Sequence, residues 1–132
     1  MNRVATRFTS LGQLLLMAAI GSACARGTED QAREHLAAAL SETLGKNADP
    51  SVGFLNNRKH LQVSLSAARF PETSDSAFAA QAKEIARFTL ARYENPRGLD
   101  SITVLDREPV SNGVWRMHHV RTFSVAELRS VR

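Results

Sequence analysis

Residues 101–125, SITVLDREPVSNGVWRMHHVRTFSV, decide how this chain folds. Asn112-Gly113 is a two-residue hairpin signal, because both residue types tolerate the positive φ that a tight turn between twisted strands demands. The flanking segments, 101–108 and 114–125, are rich in β-branched and aromatic residues and read as paired strands. A two-residue turn sets Ser111 against Val114. Counting back along a regular ladder puts Asp106 opposite His119, Arg107 opposite His118 and Val104 opposite Arg121. Strict alternation gives Trp115, Met117, His119, Arg121 and Phe123 one shared face. An arginine opposite a core valine calls for either an edge position or a bulge.

Working outward, PETSDS at 71–76 is a helix start. It leads into Phe78, Ala82, Ile85, Ala86, Thr89 and Tyr93, an apolar stripe about 100° wide. Phe88 falls about 60° outside Ile85, at the margin of that stripe. HLQVSLS at 60–66 alternates cleanly, SVGFLN at 51–56 reads as its partner strand, and Asn56 to Lys59 form the turn between them. Thr28 and Gln31 are spaced as a capping box for a helix whose stripe is Ala32, Leu36, Leu40 and Leu44, with Gly45 as its stop. Ser124 and Glu127 are spaced to cap a last short turn. Helix, hairpin, helix, hairpin predicts a two-layer α+β fold of the pattern αββαββ. In it a four-stranded antiparallel sheet carries two helices on one face.

The chemistry-bearing residues are few. Asp106 and His119 form a candidate acid/base or metal pair, since a carboxylate can orient an imidazole for proton transfer or for metal ligation. The competing reading is a cross-strand ion pair on a sheet surface. One His and one Asp do not complete a metal set, so no metal site and no cofactor is assigned. No G-x-S-x-G, H-E-x-x-H or Gly-rich phosphate loop is present, and no catalytic residue is assigned. His35 and His60 stand alone and read as solvated. The face of Trp115 and Met117 reads first as core and Arg58 and Lys59 first as a solvated hairpin tip; as the alternative, Phe88, Trp115, Arg121, Arg58 and Lys59 are candidates for a partner surface.

The N-terminus is of another kind. Arg3 and Arg7 precede a charge-free run, the apolar core from Leu14 to Ile20 is short, and small residues follow it. A membrane-spanning helix needs about 20 apolar residues; a basic start, short apolar middle and small-residue end make a secretory signal. IGSAC, ending at the only cysteine, Cys24, resembles the lipobox of bacterial lipoproteins, although Gly21 stands where lipoboxes usually place Leu, Val or Ile. The resemblance implies cleavage before Cys24, a diacylglyceryl group on its thiol and, with Ala25 following, an outer-membrane lipoprotein facing the periplasm if the host has two membranes. The alternative is cleavage after Ala25 and a soluble secreted or periplasmic chain. On the lipobox reading, residues 1–23 are signal peptide, 24–27 a short membrane tether and 28–132 one domain.

The full chain has 17 basic and 13 acidic side chains. Loss of Arg3 and Arg7 leaves 15 basic ones and no run of like charge, which argues against nucleic acid as a partner. The expectation is a non-enzymatic envelope lipoprotein that binds an envelope protein or the membrane surface. The alternatives are a secreted domain that binds a small ligand between sheet and helices, or a site at Asp106 and His119.

Overall fold

The first hairpin follows its alternation. Strand β1 (Ser51–Leu55) pairs antiparallel with β2 (His60–Ser66), Val52 against Val63 and Phe54 against Leu61. Leu61, Val63 and Leu65 are fully buried, whereas His60, Gln62 and Ser66 on the opposite face are half-buried. The connecting loop holds Asn56, Asn57 and Arg58 at positive φ. The short polar side chain of asparagine tolerates that conformation better than most.

The computed structural model describes residues 29–71, 73–93 and 95–130. The signal, the tether and the cap expected at Thr28 lie outside them. Residues 29–44 are helical (α1), and Leu36 and Leu40 of the expected stripe are buried. Gly45 donates the last i→i−4 bond of the helix to the Ser41 carbonyl at 2.9 Å and ends it at φ 92° and ψ 166°, a conformation open essentially to glycine alone. Helix α2 (Asp75–Arg92) is capped by the Ser74 hydroxyl, which accepts from the Ala77 N–H. It buries Phe78, Ala82, Ile85, Ala86 and Thr89, the stripe read from the sequence. The polar member, Thr89, donates to the Ile85 carbonyl at 2.8 Å and so remains satisfied inside. Strands β3 (Ser101–Ser111) and β4 (Val114–Ser124) form the second hairpin. Ser124 then caps a short helix α3 (Val125–Arg129), whose Val125 and Leu128 are buried.

The sheet order is β1-β2-β3-β4, and here the expectation of a wholly antiparallel sheet fails. β2 and β3 are parallel, His60 beside Ser101 through Ser66 beside Arg107, so the sheet is mixed. The cause is the length of α2. Its 18 residues rise about 27 Å, enough to carry the chain back past a seven-residue strand of about 23 Å before β3 begins. A strand re-entering after such a return runs parallel to the one it left.

Residues Ala32–Arg132 make one compact unit. Its core joins Leu36 and Leu40 of α1 and Phe78, Ala82, Ile85 and Ala86 of α2 to Leu61, Val63, Leu65, Ile102, Val104 and Phe123 of the sheet. Among the described residues the helices therefore cover one sheet face.

Candidate functional site

The second hairpin departs from its regular ladder twice. Ser111 does oppose Val114, but Pro109 opposes Trp115 and Val110 is left over. A proline lacks the N–H that would continue the ladder, and irregularity at its position is the expected response. The second departure lies between Leu105/Val120 and Arg107/Met117, where Asp106 alone faces both His118 and His119. That is a β-bulge, two residues against one. Arg107 accordingly opposes Met117 rather than His118, while Val104 opposes Arg121 as a regular ladder would have it.

The bulge changes which side chains share a face. His119 keeps to the helix side, where its ring stacks on Phe78 at 4.7 Å between centroids and 18° between planes. Met117 and Trp115, paired with Arg107 and Pro109, are on the other side. The Arg107 guanidinium lies 4.3 Å over the Trp115 ring. The expectation that Trp115 and Met117 share a face with His119 and Phe123 is thus corrected: one extra residue reverses the alternation of all that precede it.

Asp106 is the buried centre of this arrangement, with 1% of its surface exposed. A carboxylate in that position must be paired or hydrogen-bonded. His119 does both: its backbone N–H donates to Oδ1 at 2.6 Å, and its ring Nδ1 lies 2.9 Å from Oδ2. The bulge supplies the first of these bonds by turning the His119 amide toward the carboxylate. The other ring nitrogen, Nε2, lies 3.4 Å from the exposed carboxylate of Asp75, in the first turn of α2. Carboxylates only accept, so the Nδ1–H of the ring is the donor toward Asp106. Phe78, one turn on from the Ser74 cap, provides the flat apolar floor.

Beside it, Glu108 is held by Arg116 at 3.2 Å and by His118 Nε2 at 3.1 Å. An open cleft of about 460 Å³ runs past these groups, lined by Phe70, Pro71, Thr73, Glu108, His118 and His119 among others. The arrangement sets the His119 ring between two carboxylates at the edge of a cleft. Among the described residues no group of three or more His, Cys, Asp and Glu side chains is placed to hold a metal ion. No protein-family model, no curated protein and no solved structure matches the chain.

The residues expected at a partner surface are not brought together. Arg58 and Lys59 sit exposed on the β1–β2 loop, where the Lys59 carbonyl accepts from the Asp100 N–H at 2.8 Å. Trp115 lies at the far end of the sheet beside the Asn112-Gly113 turn. Phe88 is half-buried against the core under the Arg92 guanidinium. Arg121 is exposed on β4. Met117, which the sequence reading put with Trp115 on a face expected to be core, is exposed beside it, as are Val114 and Val120, which that reading did not single out.

One functional-looking residue was misread altogether. His60 is not solitary: its ring bridges Ser101 and Thr103, the latter at 2.8 Å, and Thr103 goes on to Thr122 at 2.8 Å. This polar row crosses three strands on the face opposite the helices. It became legible only once β2 was known to lie beside β3.

Proposed function

We propose that this chain is a cell-envelope lipoprotein, a non-enzymatic binding module held close to the membrane by a diacylglyceryl group on Cys24. The observation that carries the binding role is the row of exposed apolar side chains on β4, Trp115, Met117 and Val120. Exposed large apolar side chains in one row mark interaction surfaces more often than scattered ones do. The tether is supported by the basic, apolar, small-residue order that ends at Cys24, and by a helix already formed at residue 29. Five residue steps separate the two, so an extended linker spans about 18 Å at most. Two or more acyl chains anchor stably, whereas one does not. No helix among the described residues is long and apolar enough to cross a membrane.

The test is the intact mass of the protein recovered from bacterial membranes, beside a Cys24→Ala chain. The reading predicts a chain that begins at Cys24 and carries fatty-acid mass, with lipid absent from the variant. A full-length chain that retains Met1 and carries no lipid contradicts it.

A second reading, proton transfer at Asp106 and His119, is favoured by the two short contacts between them beside an open cleft. It predicts that His119→Ala abolishes any hydrolytic or isomerase turnover found on screening. Undiminished turnover in that variant removes it.

A further inference from the structure

We propose that the free edge of β4 takes up an extended acidic peptide as a fifth strand; this rests on the binding-module reading and names its partner class. Among the described residues β4 ends the sheet, and five successive pairs, Leu105/Val120 to Ser101/Ser124, run without irregularity. Beyond them the Val125 N–H donates to the Asp100 carbonyl at 2.9 Å. In an antiparallel ladder directly bonded pairs alternate with unbonded ones. Phe123 and Arg121 therefore bond to β3, while Val120, Thr122 and Ser124 turn their N–H groups outward; the Val120 carbonyl accepts from the Arg121 guanidinium and the Ser124 carbonyl opens helix α3. An edge with open backbone groups is a template for another strand.

The charges on this edge choose the occupant. Between Pro109 and Ala126 there is no Asp or Glu, while Arg116, His118, His119 and Arg121 supply the only ionisable side chains. Arg116 and both histidines face carboxylates of this chain. Arg121 has none among the described residues: its guanidinium reaches only the Val120 carbonyl, at 3.1 Å. A second copy pairing edge to edge would bring together two edges without Asp or Glu and would offer neither Arg121 a carboxylate. A peptide with acidic residues on the Arg121 side and apolar residues on the Val120 side satisfies both faces and all three outward amides. Complementary charge at such a site sets the choice of partner more than raw affinity.

The experiment uses the full chain, isotopically labelled, titrated with a short peptide alternating Glu and Val. Controls are the same peptide with Lys for Glu and the Glu peptide N-methylated at alternate residues. Expected are slowed hydrogen exchange at Val120, Thr122 and Ser124, loss of that protection on N-methylation, and binding of the Lys peptide weaker by about tenfold or more. Arg121→Glu should reverse the order of the two peptides, a gain of binding that a damaged fold cannot produce. Equal binding of both peptides, protection at β1 instead, or protection of β4 by self-association without peptide would each overturn the proposal. The lipid mass reads the tether and the exchange reads the edge, so the two proposals fail separately.

Discussion

His60 in the first hairpin and His119 in the second are held differently. In the regular first hairpin His60 lies on the face away from the helices, its ring nitrogens met by the hydroxyls of Ser101 and Thr103. Hydroxyls both donate and accept, so they serve either tautomer of the ring. In the bulged second hairpin His119 lies against Phe78 with a carboxylate near each ring nitrogen. Carboxylates accept only, so the ring is the donor toward Asp106. A regular ladder already places His119 opposite Asp106; what the extra residue in β4 adds is the His119 amide, which donates to the same carboxylate.

That contrast can be broken at its most costly point first. Phe78→Ala removes both a fully buried ring and the floor beneath His119; a loss of about 3–5 kcal/mol in urea unfolding is expected. A loss below about 1 kcal/mol would mean that the core does not close over this ring. Next, Asp106→Ala strands the His119 amide and ring without their acceptor and should cost about 1–3 kcal/mol. Combined with His119→Ala, it should show a coupling of about 0.5–3 kcal/mol in a double-mutant cycle; strict additivity would show that the two residues do not act together. His60→Ala should cost less, about 0.5–1.5 kcal/mol, since the hydroxyls it leaves can turn to water or to one another. A cost equal to that of Asp106→Ala would erase the distinction between the two histidines. The smallest effect belongs to Trp115→Ala. The ring is about half exposed and its stability role is confined to the Arg107 stack, about 0.5–1 kcal/mol by the same unfolding measurement.

What could be read in advance divides along the same line. The helix stripes of Leu36 and Leu40, and of Phe78 to Thr89, and the alternation of Leu61, Val63 and Leu65 were legible, because burial imposes a period on the sequence. The proximity of Asp106 to His119 was legible as well, from counting back along the ladder from Asn112-Gly113. The parallel pairing of β2 and β3 was not: it depends on how far α2 carries the chain, and local pattern is silent on which strands end up side by side. The bulge left only an indirect trace. Pro109 could have marked one irregularity but went unread, and the extra residue at His118–His119 alters no composition and no turn signal. Its consequence, the move of Trp115 and Met117 away from His119, was therefore missed. His60 was misjudged for the first of these reasons, since its partners belong to a strand 41 and 43 residues further on.

The central claim is that the bulge sorts β4 onto two faces, with His119 among the core residues and Met117 outside them. Proton–proton contacts in solution, measured by nuclear Overhauser spectroscopy on the full chain, test it directly. The account predicts contacts from the His119 ring to Phe78, and from the Met117 methyl to side-chain protons of Arg107 on the opposite face. Contacts from the Met117 methyl to the Phe78 ring would contradict it.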